Sequence, residues 1–188
     1  MGDLALLLIA GYLLGSINVA ILLFRWQGKG DPRSRHSGNP GVSNVYRQAG
    51  PLWAGAVLLA EGVKSAALGW LALKFLAYPQ MPWVALSLLV GNRWPCLHQF
   101  RGGKGVANFL GFNLPINFPV VILLGLAGYL AVLAWRRTAF LASFALVLAL
   151  FWGLALKVGL HLSGLCGLAL CALLITASHG ANIRSLIP

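Results

Sequence analysis

Thr138 to Ser178 reads TAFLASFALVLALFWGLALKVGLHLSGLCGLALCALLITAS. It divides into two apolar segments, 138–157 and 160–178, each near the roughly 20 residues a helix needs to cross a bilayer. Working outward, segments of the same length occur at about 4–24, 52–76 and 116–135. Two shorter ones remain. The segment 80–95 is bracketed by Trp83 and Trp94, as interface anchors would be. The segment 105–114 opens in a glycine-rich motif and ends at Pro115. The pattern predicts an all-α polytopic membrane protein of about seven spans, with a single domain over 1–188. The longest polar loop is only about 25–50, and there is no convincing tandem repeat. The first apolar run follows Asp3, with no Lys or Arg before it. It is longer than a signal-peptide core and reads as a retained first span.

Composition agrees. The chain is 59% hydrophobic and 9% charged, with a mean hydropathy of +0.82. A soluble domain carries about a quarter charged residues, so lipid must solvate most of this chain. The net charge of +11 comes from fourteen Lys and Arg against three acids. Because the basic residues lie between apolar segments, they read as a positive-inside bias, not a nucleic-acid surface. The only acids, Asp3, Asp31 and Glu61, nearly exclude catalysis by paired carboxylates. Cys96, Cys166 and Cys171 show no disulfide or metal-ligand spacing; the last two read as small packing residues. Neither a metal nor another cofactor is implied.

Charge placement orients the spans. With seven crossings and the N-terminus outside, eleven of the fourteen basic residues share one side. They are Arg25, Lys29, Arg33, Arg35, Arg47, Arg93, Arg101, Lys104, Arg136, Arg137 and Arg184, and that side is therefore cytoplasmic. Were 105–114 not to cross, the Arg136–Arg137 pair would move outside. The short span must then be tilted or sheltered within the bundle.

Three polar clusters fall on the cytoplasmic side. The first runs from Asp31 to Arg47. Gly38 and Gly41 let backbone approach a ligand, Ser37, Ser43, Asn39 and Asn44 offer neutral donors, and Arg33, Arg35 and Arg47 offer forked ones for phosphate. The bland alternative is an ordinary basic turn. The second, Phe100-Arg101-Gly102-Gly103-Lys104-Gly105-Val106-Ala107-Asn108, is a glycine turn opening a helix, whose N–H groups favour an anion. Gly105 stands where a Walker A loop needs Ser or Thr; a flexible basic hinge is the alternative. The third is His179-Gly180-Ala181-Asn182-Ile183-Arg184, where His179 and Asn182 share a helix face; read alone it is a polar cap. Glu61 and Lys64, three apart within a span, read as an ion pair facing the bundle. His98 could face the site; His161 is placed near the outer surface without a role.

Together these clusters resemble the bacterial membrane glycerol-3-phosphate acyltransferases that use acyl phosphate, the PlsY family. The family's first loop, Gly-Ser-Gly-Asn-Pro-Gly-Ala-Thr-Asn followed by Arg, is matched by His36 to Asn44 and Arg47. Its second, Phe-Lys-Gly-Gly-Lys-Gly-Val-Ala-Thr, is matched by Phe100 to Asn108. Its third, His-x-x-Asn-Ile, is matched by His179 to Ile183, and Gly15-Ser16-Ile17 also fits. The resemblance implies acyl transfer from a fatty acyl phosphate to the 1-hydroxyl of glycerol 3-phosphate. The products are lysophosphatidic acid and phosphate, and the setting is the bacterial cytoplasmic (inner) membrane. Carried over by position, Ser37, Lys104 and His179 would be catalytic. Gly38, Asn39, Gly41, Ser43, Asn44, Gly102 and Gly103 would hold the acyl phosphate; Arg47, Lys104, His179 and Asn182 would hold the glycerol phosphate. The partners implied are these two substrates and membrane lipid, with no nucleic acid.

The chain lacks a His-x4-Asp pair and a catalytic triad. A bound phosphate, with a second pKa of about 6, could take the hydroxyl proton. Departures from the family gather near the site: His36 for Gly, Glu61 for Asp, Ser65 for Gly, Asn92 for His and Asn108 for Thr. They leave open a different acceptor or weak activity, and a transporter of phosphorylated lipid precursors is a further alternative.

Overall fold

The computed structural model describes residues 2–117, 119–136 and 138–184. Arg137, half of the basic pair used to orient the spans, lies outside the described residues. Regular structure among the described residues is helical throughout: α1 (Gly2–Ser16), α2 (Val19–Trp26), α3 (Val42–Ala49), α4 (Pro51–Phe75), α5 (Met81–Arg93), α6 (Val106–Asn117), α7 (Val120–Arg136), α8 (Ala139–Val158), α9 (Leu162–Ser178) and α10 (Gly180–Arg184).

Among the described residues, three stretches are long and apolar enough to cross a membrane: Gly2–Trp26, Pro51–Phe75 and Ala139–Val158. The helices α7 and α9 have 17 residues each, and α5 and α6 only 13 and 12. At ~1.5 Å per residue α6 extends roughly 18 Å, well short of a ~30 Å hydrocarbon core. It is tolerated because it sits at the centre, packed against α4, α5, α7 and α8, with Phe109 and Phe112 fully buried. Its end differs from the boundary expected at Pro115, because the helix runs through that proline to Asn117. Side-chain bonds cross this turn: the Asn113 amide donates to the Phe109 carbonyl at 2.8 Å, and Asn117 donates to Asn113 Oδ1 at 2.8 Å. Neighbouring helices and side-chain amides are what make an intramembrane proline acceptable.

Small residues set the closest packing. Between α1 and α5, a Cβ on Gly91 would lie 2.1 Å from the Tyr12 carbonyl oxygen, and one on Gly15 would lie 2.2 Å from that of Leu88. Between α4 and α6, Gly69 meets the Phe112 carbonyl in the same way. Lipid offers apolar helices little drive to associate, so backbone-to-backbone contact is how such pairs gain dispersion energy. Of the two cysteines read as packing residues, Cys171 is buried with Sγ 3.4 Å from the Pro82 carbonyl, while Cys166 is exposed. Cys166 therefore faces outward from α9, unlike Cys171.

The first apolar run is one hydropathic segment but two helices, broken at Ile17 and Asn18. The break leaves a carbonyl and an N–H without helical partners, which is costly away from water. The pair on α4 completes both. Lys64 Nζ donates to the Ile17 carbonyl, Glu61 Oε1 accepts from Val19 N at 2.8 Å, and the two side chains meet at 2.6 Å. The cation faces the C-terminal end of α1 and the anion faces the N-terminal end of α2, the signs that the helix dipoles favour. The i,i+3 pair is thus present and bundle-facing as its spacing predicts, with a third element in its grip.

Lys64→Met should strand the Glu61 carboxylate and cost about 3–5 kcal/mol. The double variant Glu61→Gln, Lys64→Met should recover much of that loss, because no buried charge is then unpaired. Unfolding midpoints in detergent measure both.

Candidate active site

The first polar loop is stiffened from within. Arg33 binds Asp31 at 2.6 Å, and its Nη1 donates to the carbonyls of His98 (2.9 Å) and Arg101 (2.7 Å). Arg33 was expected to offer donors to phosphate; it is instead the strut between the first and second loops. Its planar guanidinium suits this, since one fork can serve a carboxylate and two carbonyls together. Arg35 is exposed and, with Arg33, lies outside the cavity wall, which leaves Arg47 as the loop's cation at the cavity. The Asn44 amide donates to the Pro32 carbonyl at 2.9 Å, and Gln48 donates to the same oxygen at 2.9 Å. These bonds hold α3 so that its N-terminus, capped by no side chain, opens at Gly41. Such an end presents N–H groups to an anion.

The backbone accounts for the family glycine at this position, and exposure accounts for why His36 is tolerated there. Its φ is +53° and its side chain is exposed. The position demands left-handed backbone and not close approach to a ligand, so bulk is tolerated at a cost of about 1–2 kcal/mol.

The second loop folds back onto the end of α5. Gly103 N donates to the Asn92 carbonyl at 2.8 Å and Gly102 N to that of Arg93 at 3.1 Å. A Cβ on Gly102 would lie 1.9 Å from the Asn92 carbonyl oxygen. Gly102 therefore serves loop packing and lies outside the cavity wall, as does Gly38. After Gly105, at φ +84°, the chain enters α6. His98 is buried beneath this loop, where Nε2 accepts from Asn18 N at 3.4 Å. It takes no part in the cavity wall.

The third cluster meets the second. Lys104 Nζ bonds Asn182 Oδ1. His179 is buried, with its ring stacked at 5.5 Å on Phe140 and 5.2 Å from Phe144, both of α8. Its Nδ1 donates to the Ile175 carbonyl at 2.9 Å. That bond places the proton on Nδ1 and leaves Nε2 an acceptor.

All three clusters open on one cavity of about 260 Å³. Ser37, Asn39, Gly41, Ser43, Asn44 and Arg47 line it from the first loop, Gly103 and Lys104 from the second, and His179 and Asn182 from the third. Its other limb is mainly apolar: Val57 and Leu58 of α4, Leu110 of α6, Leu126 and Tyr129 of α7, and Phe140 and Leu146 of α8. Leu58 and Leu126 are 41% and 38% exposed, so this limb reaches the lipid-facing surface. The space suits an amphiphile with an anionic head and an apolar tail.

Charge in the cavity is concentrated and partly desolvated. Burial pushes the Lys104 amine below its usual range, and the nearby Arg47 and Arg93 guanidiniums push it further. Burial likewise lowers His179, opposed by its bond to Ile175 and assisted by Lys104. A dianion in the cavity would relieve the repulsion between Lys104 and Arg47.

Several wall residues carried no readable signal in the sequence. Asn18 and Tyr129 sit inside apolar runs, and Glu61 was read as half of an ion pair and as a departure near the site, not as part of the wall. Three departures from the family touch one another: Ser65 Oγ donates to Asn108 Oδ1 at 2.8 Å, and Asn108 Nδ2 donates to Asn92 Oδ1 at 3.0 Å. They form one hydrogen-bonded chain, a relation that no position shows by itself.

Comparison with known proteins agrees with this geometry. The family model described as glycerol-3-phosphate acyltransferase matches residues 5–188. A glycerol-3-phosphate acyltransferase of Laribacter hongkongensis is 38% identical over 96% of this chain and 90% of its own length. One from Pseudomonas paraeruginosa is 38% identical over 96% and 94%. The fold matches crystal structures of PlsY, an integral membrane glycerol 3-phosphate acyltransferase. Its glycerol 3-phosphate form gives a TM-score of 0.87 at 28% identity, covering 98% of this chain and 92% of that one. Its lysophosphatidic acid form gives 0.84 at 28% identity over 98% and 91%.

Lys104 should release its proton below the usual lysine value of 10.5. Arg93→Gln should move that midpoint upward, since one repelling cation is gone. NMR titration of the five lysines after isotope labelling reads both shifts.

Proposed function

The chain belongs to the glycerol-3-phosphate acyltransferase family, and from that membership we propose how its cavity performs the reaction. The protein is an integral membrane enzyme that acylates glycerol 3-phosphate to lysophosphatidic acid. The observation that carries the reading is the joined cavity, in which polar loops and two cations meet an apolar limb open to lipid.

The acyl donor is a fatty acyl phosphate. Its chain lies along Val57, Leu110, Leu126 and Leu146, and its phosphate rests on the first loop, held by Ser37, Asn39, Gly41 and Ser43, with Asn44 bracing that loop through its bond to Pro32. Gly103 adds its backbone, while Gly38 and Gly102 shape the two turns from outside the wall. Arg47, Lys104 and Asn182 hold the phosphate of glycerol 3-phosphate. His179, neutral and with Nε2 as acceptor, is better matched to a glycerol hydroxyl than to the phosphate, so it orients the acceptor. The 1-hydroxyl oxygen then attacks the acyl carbonyl carbon, the bond from that carbon to the phosphate oxygen breaks, and phosphate leaves with the donor's electron pair. Ser37 and Lys104 stabilise the charge that develops.

Every carboxylate of the chain is engaged or remote. Glu61 is committed to Lys64 and the Val19 N–H, Asp31 to Arg33, and Asp3 stands in the first turn of α1, far along the bundle. No carboxylate is then left to act as base; a substrate phosphate oxygen takes the hydroxyl proton while His179 Nε2 holds that hydroxyl in line, and the protein contributes position and charge. We read seven crossings, with the N-terminus outside and the loops facing the cytoplasm; the gathering of basic residues on one side supports a site at the inner leaflet of a bacterial inner membrane. The chain from 1 to 188 acts there as one domain.

Purified protein given palmitoyl phosphate and glycerol 3-phosphate should form lysophosphatidic acid and release one phosphate per product. Lys104→Ala should raise the KM for glycerol 3-phosphate by roughly 10- to 100-fold, as loss of a charge-assisted bond does. Phosphate release without lysophosphatidic acid would show that water or another alcohol is the acceptor.

A further inference from the structure

Asn18 is the residue that joins the break in the first span to both polar loops, and it is only 2% exposed. Its Oδ1 accepts from Ile21 N at 3.1 Å, capping α2. An N–H can bond only the oxygen of that amide, so the other atom is Nδ2 by necessity. Nδ2 donates to the Pro40 carbonyl at 3.2 Å. Pro40 lies between Asn39 and Gly41 in the first loop, and Gly41 opens α3. The Asn18 backbone N–H, by contrast, bonds His98 under the second loop at 3.4 Å. Side chain and backbone of one residue thus hold two different loops. Asn18 is itself held from behind, because the Glu61–Lys64 pair fixes Ile17 and Val19 on either side of it.

We propose that Asn18 is a positioning residue for the acyl-phosphate loop. Its side-chain amide sets where Pro40, and hence the Asn39–Gly41 turn and the N-terminus of α3, stand relative to Lys104. This rests on the assignment of the first loop to the acyl phosphate. Asn18 makes no bond to a second-loop residue through its side chain, and Arg47, toward the far end of α3, is kept in place by the Asn44 and Gln48 bonds to Pro32, so loss of Asn18 should act on the acyl phosphate and not on both substrates.

Asn18→Ser keeps an oxygen able to cap α2 but has no amide to reach Pro40. Asn18→Asp keeps the shape and the cap while setting an acceptor against a carbonyl. In Asn18→Ser the KM for acyl phosphate should rise about fivefold, the value of one lost hydrogen bond, with the KM for glycerol 3-phosphate unchanged; Asn18→Asp should exceed it. Hydrogen exchange should quicken across residues 40–46 and stay constant across 98–105. Equal changes in both KM values, or wild-type exchange over 40–46 in both variants, would overturn the proposal. Wild-type protein that makes no lysophosphatidic acid would instead overturn the acyltransferase reading, and the exchange measurement would still decide the tether by itself.

Discussion

The interaction on which the site depends is the buried contact between the Glu61–Lys64 pair and the broken first helix. A helix interrupted inside a membrane exposes a carbonyl and an N–H to a medium with nothing to offer them. Here one cation and one anion, three residues apart on α4, satisfy both ends and each other. A charged pair in the bundle would otherwise be a poor source of stability, since desolvation offsets much of its attraction. Its value lies in what it permits. With the break tolerated, Asn18 can leave the helical ladder and reach toward the loops. An unbroken helix would have turned that amide into one more side chain on a cylinder.

The second constraint is that one cavity must serve two solvents. The substrates are anionic at one end, and the donor and product are apolar at the other. The fold answers by placing short helices at its centre. Because α5 and α6 are too short to fill the hydrocarbon thickness, the loop joining them can dip toward the bundle and bring Gly103 and Lys104 beside the first and third clusters. The limb running between α4, α6, α7 and α8, mainly apolar in its lining, then continues into lipid-facing surface. Glycine packing between α1 and α5 and between α4 and α6 keeps this small bundle tight enough to hold the loops at fixed separation.

The departures from the family fall into two physical kinds. His36 meets a dihedral requirement at a surface position, and the site is indifferent to its ring. Ser65, Asn108 and Asn92 form a hydrogen-bonded chain of neutral groups in the interior. Each would be a buried polar liability on its own, and together they largely satisfy one another. Ser65 stands behind the cavity wall, while Asn92 and Asn108 share that wall with Lys104, Arg47 and Asn182.

Apolar run length and basic-residue placement were enough to indicate a helical membrane protein, and three short motifs, through their resemblance to a family, pointed to an enzyme and named ten of the residues that line its cavity. Those properties depend on local chemistry: lipid demands apolar helices, and phosphate demands glycine turns and cations, wherever the chain puts them. Hydropathy could not reveal the break at Ile17 and Asn18, because an interrupted helix of apolar residues averages the same as a continuous one. Nor could it show that Arg33 struts two loops while Arg47 faces the cavity, since both are arginines in one basic turn. Those distinctions are made by contacts between residues up to 80 positions apart, and only the packed bundle decides which partners meet.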